Sequence, residues 1–176
     1  MTGSMPDSMG TSVAPFKAIN NDPSKQALLT AEGTALAFDF GERRLGIAVG
    51  EHLLGIAHPL TTIDNESNDQ RFEMIATLIQ EWHPSVLVVG LPLSMDGEEH
   101  ELTRLSRKFA RRLDGRFGLP VVMVDERLSS HEASQSLKQG GIAGRKQKPM
   151  LDQVAAQHIL QTYFDSMKQG TQHASA

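Results

Sequence analysis

The feature that most constrains the fold is a succession of short apolar segments. Three follow one another at 35–40, 45–49 and 53–60, with only short polar or glycine breaks between them. This spacing is typical of consecutive antiparallel strands. Over 69–82 the period changes, and apolar residues recur at spacings of three and four. That pattern predicts an amphipathic helix, which Pro84 prevents from continuing.

The remainder of the folded region alternates apolar runs with helical patterns. The runs at 86–90 and 121–124 are typical of strands buried on both faces. The pattern at 102–113 predicts a second helix. Ser129 with a glutamate three residues later predicts the capped start of a third helix. A last helix is expected over about 149–167. The fold class is therefore α/β, with a mixed five-stranded sheet of three antiparallel strands plus two parallel strands, flanked by helices.

Length and composition indicate one domain. The 176 residues suffice for a single core, and we expect a disordered leader over 1–33, a folded domain over 34–167 and a flexible tail over 168–176. The absence of cysteine excludes disulfides, thiolate zinc sites and cysteine nucleophiles. No apolar run approaches the roughly 20 residues of a membrane span, and no secretory signal is visible, so we expect a soluble protein without membrane contact. A net charge of -4 argues against a protein that coats nucleic acid without regard to sequence or structure, because such proteins usually carry a large positive charge.

Three acids stand at the ends of predicted elements. Asp39 ends the first strand, Glu126 follows the last strand, and Asp152 lies in the first turn of the final helix. If the first, fourth and fifth strands are parallel, their carboxyl ends share one edge of the sheet, where Asp39 and Glu126 would converge. Asp152 joins them if the last helix packs across that edge. Each acid taken alone could instead serve a turn, an ion pair or the helix dipole.

A cluster of carboxylates indicates a site for a hard divalent cation. Mg²⁺ or Mn²⁺ prefers oxygen ligands and keeps several waters, so two or three carboxylates and the substrate's phosphate oxygens are a sufficient ligand set. Such a site hydrolyses phosphodiester bonds with activated water and needs no protein nucleophile.

The motifs around these acids resemble those of the YqgF family, also called RuvX, whose members are named Holliday junction resolvases or pre-16S rRNA nucleases. The resemblance extends from about Ala35 to Phe164. It is carried by FDFG at 38–41, LGIAVG at 45–50, VGLPLSMDG at 89–97, DERLS at 125–129, and Asp152 with the alanine pair at 155–156.

The resemblance implies a ribonuclease H-like fold, a cytoplasmic location and maturation of the 5′ end of 16S rRNA during ribosome biogenesis. Asp39, Glu126 and Asp152 become the catalytic and metal-binding residues. Asp125 is the weaker claimant beside Glu126, because strand alternation points only one of the two toward the site. The implied partner is nucleic acid, with pre-rRNA favoured over branched DNA, and ribosomal precursor particles are a further candidate. The oligomeric state is left open between monomer and homodimer.

Basic residues near the acids are candidates for substrate binding. Arg145, Lys146 and Lys148 lie in a glycine-rich loop that leads to Asp152, where they could hold backbone phosphates. A mobile, solvated loop is the alternative. Arg127 could contact the scissile phosphate or pair with a neighbouring acid. The arginines of the second predicted helix are interpreted as a solvated face, because glutamates at helical spacing can pair with them.

Other functions remain to be weighed against the nuclease. Actin-like and sugar-kinase ATPases also begin with an Asp-x-Gly turn, but they need two such domains and this chain has room for one. Protein kinases share the isolated DFG triplet, yet no glycine-rich phosphate loop or His-Arg-Asp motif accompanies it here. A Holliday junction resolvase-like DNA endonuclease is an enzymatic alternative. The non-enzymatic one is an assembly factor that binds rRNA without cutting it.

Overall fold

The computed structural model describes residues 19, 32–64, 67–126 and 147–174, with the side chains of the last segment described over 149–168. These ranges hold five strands and three helices. In chain order they are β1 (Thr34–Phe40), β2 (Arg44–Glu51), β3 (Ile56–Asp64), α1 (Asn68–Trp82), β4 (Pro84–Leu91), α2 (Glu101–Phe117), β5 (Val121–Asp125) and α3 (Gln147–Ala174). The helix predicted to start near Ser129 lies outside the described residues.

The strands form one mixed sheet in the order β3-β2-β1-β4-β5. The β1/β2 and β2/β3 pairs are antiparallel, whereas β1/β4 and β4/β5 are parallel. This confirms the predicted sheet of three antiparallel strands plus two parallel ones, and with its flanking helices it is the ribonuclease H-like arrangement. Because β1, β4 and β5 run in the same direction, their carboxyl ends lie at one edge.

The two faces of the sheet carry different kinds of side chain. Along β1, Leu36 and Phe38 join a core that includes residues of α1 and α2, whereas Ala35 and Ala37 join a second core with α3. This alternation follows from the two-residue period of a strand. The small alanines let α3 lie close to the sheet, where Tyr163 and its apolar neighbours are buried. The α3 face is also the face of the acids.

Two boundaries differ from the sequence expectation, and one agrees with it. Leu53 and Leu54, predicted to belong to the third strand, lie in an exposed turn, because Gly55 adopts a positive φ of 64° and the strand begins only at Ile56. Helix α1 ends at Trp82 as predicted, with His83 in the left-handed conformation. Helix α3 continues to Ala174, beyond the expected end near 167. Across the described segments, we find no helix with the length and apolar character of a membrane span.

Candidate active site

Asp39 is the penultimate residue of β1 and pairs with Gly46 of β2. Alternation along β1 places its side chain on the same face as Ala35 and Ala37, which is the face covered by α3. The residue as a whole keeps some exposure, but its carboxyl is withdrawn from solvent. Burial raises the pKa of Asp39 to about 6, a hydrogen bond from Glu126 opposes the rise, and the charge of Asp152 adds to it. Asp39 is therefore in contact with one of the other two acids and within electrostatic reach of the third.

Glu126 directly follows β5, and its backbone N–H donates to the carbonyl oxygen of Leu91 at 3.0 Å. Its side chain shares a hydrogen bond with Asp39. Burial is the main cause that raises the pKa of Glu126 to about 9, followed by the charge and hydrogen bond of Asp39 and then by the charge of Asp125. This rise favours the protonated form of Glu126, which can donate to the Asp39 carboxylate. Two carboxyls so close, without a cation, hold a proton between them.

Two strand glycines make the room that this cluster needs. A Cβ atom at Gly90 of β4 would lie 2.0 Å from Oε1 of Glu126 and 2.5 Å from Cδ1 of Ile159. A Cβ atom at Gly46 would lie 2.1 Å from the carbonyl oxygen of Asp152. At Gly46 the clash would be with backbone, so glycine is required there, whereas a Cβ atom at Gly90 would displace the carboxyl of Glu126 and the end of Ile159. Glycine inside a strand often marks such a close approach, and this was the one sequence signal that could have revealed the two positions.

Asp152 enters the site from the first turns of α3 and is held by Arg44, the first residue of β2. Nε of Arg44 donates to Oδ2 of Asp152 at 2.9 Å, and their side chains are only 26% and 22% exposed. Burial raises the pKa of Asp152, while the hydrogen bond and charge of Arg44 oppose that rise. Sequence reasoning missed Arg44, because the two residues are 108 positions apart and meet only through helix packing.

The oxygen ligands of this cluster suit a hard divalent cation. Asp39 and Glu126 are in contact and share a proton, an arrangement that a bound cation would stabilise by replacing that proton. Among residues whose positions are described, however, no three carboxylate or imidazole groups are already arranged to hold a metal ion. Asp152 is engaged with Arg44 instead. Asp39 and Glu126 therefore suit Mg²⁺ or Mn²⁺ once Glu126 has lost its proton, and Asp152 could join them once its contact with Arg44 is released.

Most of the predicted substrate-binding residues lie outside the part of the chain that the structure describes. Arg127, Arg145 and Lys146 lie outside the described residues, and Lys148 is seen only as backbone in the first turn of α3. On α2, Arg104 forms an ion pair with Glu101 and Arg107 forms one with Glu99. These two pairs agree with the interpretation of the α2 arginines as a solvated face.

A family model described as RuvX, Holliday junction resolvase, matches residues 33–166. The chain belongs to the RuvX family. The match covers all five strands, α1, α2 and the part of α3 that carries Asp152. It confirms the family assignment that the motifs suggested.

Close relatives share the family across most of their length. A Methylobacillus flagellatus protein named "Putative pre-16S rRNA nuclease" is 70% identical over 138 residues, which are 78% of this chain and 94% of that protein. A Chromobacterium violaceum protein of the same name is 63% identical over 131 residues, which are 74% of this chain and 96% of that protein. A solved structure of T. thermophilus RuvC in complex with a Holliday junction substrate is similar at 15% identity and a TM-score of 0.46, covering 75% of this chain and 93% of that one.

Proposed function

We propose that this RuvX protein is a metal-dependent nuclease that hydrolyses phosphodiester bonds and processes the 5′ end of pre-16S rRNA in ribosome biogenesis. The observation that carries the proposal is the buried contact between Asp39 and Glu126, with Asp152 beside them, at the carboxyl edge of the parallel strands. Buried acids with raised pKa values are costly to a fold, and such groups cluster at functional sites. The names of the relatives favour pre-16S rRNA as the substrate.

The roles of the residues follow from their positions. A divalent cation, when bound, would supply the positive charge that activates water and stabilises the developing charge on the phosphate oxygens. Asp39 and Glu126 would hold it, and Glu126 must first give up the proton that it shares with Asp39. Asp152 would complete the ligand set from α3. We assign backbone phosphate binding to Arg127, Arg145, Lys146 and Lys148, whose cationic side chains suit that task.

The test is a cleavage assay with Asp39→Asn, which keeps the shape of the side chain and removes its charge. Wild-type protein is expected to cleave precursor 16S rRNA with Mg²⁺ or Mn²⁺ and to stop when the metal is chelated. Asp39→Asn is expected to lose that cleavage while its circular dichroism and melting temperature show an intact fold. Unaltered cleavage by the purified variant would refute the assignment.

The same assay separates the alternative functions. A four-way DNA junction serves as the second substrate, and preferential cutting of the junction would favour a Holliday junction resolvase-like DNA endonuclease, the activity in the printed name of the family. Complete inactivity of wild-type protein on RNA and DNA with both metals, accompanied by rRNA binding, would favour an assembly factor.

A further inference from the structure

The contact between Arg44 and Asp152 holds the end of a helix and also places a positive charge beside the acid cluster. Arg44 belongs to the same sheet face as Gly46, two residues further along β2, and Gly46 lies opposite Asp39 in the β1/β2 pair. The guanidinium therefore lies next to the acid cluster and on its side of the sheet. Among the described residues, Arg44 is the cation that pairs with Asp152.

The position of Asp152 differs from that of the other two acids. Asp39 and Glu126 are hydrogen-bonded to each other, whereas Oδ2 of Asp152 accepts a hydrogen bond from Arg44. Within the segments that the structure describes, the three acids do not yet form a group that could hold a metal ion. The ion pair with Arg44 is thus an alternative to the arrangement in which Asp152 faces the same ion as Asp39 and Glu126.

We propose that Arg44 is a built-in counter-ion that competes with a divalent cation for Asp152 and is displaced when that cation binds to the three acids. The inference rests on the proposed metal site, and it makes Arg44 a positioning residue that acts through Asp152. Removing the guanidinium charge should favour metal binding for two reasons. The cation no longer has to compete for Oδ2, and a positive charge close to the metal site is gone.

The adjacent Arg43 provides a matched control. It carries the same charge one residue away, but its side chain is 70% exposed and its guanidinium lies 3.6 Å from the carboxylate of Asp64 rather than near Asp152. Arg43→Gln and Arg44→Gln change the net charge of the chain equally. A difference between them therefore reports the contact with Asp152 and not the overall charge.

The experiment measures Mn²⁺ binding by titration of the purified proteins, with free Mn²⁺ followed by electron paramagnetic resonance. Arg44→Gln is expected to lower the dissociation constant about three- to tenfold, as for loss of one partly buried competing ion pair. Arg43→Gln should match wild type, and Asp39→Asn should bind Mn²⁺ weakly, which identifies the acids as the site. In chelator, Arg44→Gln should also melt at a lower temperature than Arg43→Gln, whereas saturating Mn²⁺ should narrow that gap.

Each result has a distinct meaning. Unchanged affinity in Arg44→Gln would overturn the counter-ion role but leave the metal site intact, and weaker affinity would show that Arg44 holds Asp152 in its metal-binding position instead. If neither wild type nor Arg44→Gln bound Mn²⁺, the metal site itself would fail, and the counter-ion role with it. Tighter binding without nuclease activity would support the inference and count against the proposed function alone.

Discussion

Replacing Glu126 with glutamine should change how the stability of the metal-free protein depends on pH. The folded-state pKa of Glu126 is about 9, against an ordinary value of 4.5. Between those values the unfolded chain has lost this proton while the folded protein keeps it, so the free energy of unfolding falls as pH rises. One such group gives a slope of about 1.4 kcal/mol per pH unit, or about 3 kcal/mol between about pH 6 and pH 8. Glutamine cannot lose a proton, so Glu126→Gln should lack this component.

The pH window isolates Glu126 from its neighbours. Asp39, with a folded pKa of about 6, contributes mainly below that window, and the histidines and Asp152 are common to both proteins. The measurement is urea denaturation in chelator at several pH values for wild type and Glu126→Gln. The free energy of unfolding of the wild type should fall between about pH 6 and pH 8 by about 3 kcal/mol more than that of Glu126→Gln. Saturating Mg²⁺ should remove this difference in slope, because the metal binds the ionised carboxylate. Parallel curves for the two proteins would refute the shared-proton description of the site.

Three further substitutions, one of them a control, test the packing around the site and further along α3. Gly90→Ala puts a methyl group 2.0 Å from Oε1 of Glu126, so it should abolish cleavage and lower the melting temperature. Gly115→Ala in α2 is the control, because no described atom lies within 4 Å of the added methyl group. It should leave cleavage unchanged and stabilise the helix by up to about 1 kcal/mol. Equal effects of the two alanines on cleavage would contradict the close-packing argument. Tyr163→Phe removes the hydrogen bond between its hydroxyl and Nε2 of His52 at 2.9 Å and should cost about 1 kcal/mol of unfolding free energy in a denaturant titration, with no loss of cleavage. An unchanged midpoint would show that this hydrogen bond does not stabilise the fold.

Much of the fold could be predicted from local patterns in the sequence. Each strand of the sheet has an apolar run, and α1 and α2 have clear helical periodicity, so their order and approximate bounds follow from the spacing of residues. The third strand was placed too early because Leu53 and Leu54 extend the apolar run, whereas the turn is determined by the positive φ of Gly55. Apolarity alone does not distinguish an exposed turn leucine from a strand residue.

The candidate site was predictable to the extent that it depends on topology. Parallel strands bring Asp39 and Glu126 to the same edge, and the sequence order alone suggested this. The contact of Asp152 with Arg44 depends instead on how deeply α3 settles against β2. That depth is set by the absence of a side chain at Gly46, a long-range packing property with no local period in the sequence. The catalytic roles of Asp39, Glu126 and Asp152 remain predictions until the variants are assayed.

The place of α3 in the chain has a consequence during protein synthesis. All five strands leave the ribosome before this helix does. Until it emerges and docks, the alanine-lined face of the sheet lacks the α3 residues of the second core, and Asp152 is absent from beside Asp39 and Glu126. A nascent chain therefore cannot form the site of three acids. Under the proposed function, it should not cleave nearby RNA until the ribosome has translated well past Asp152.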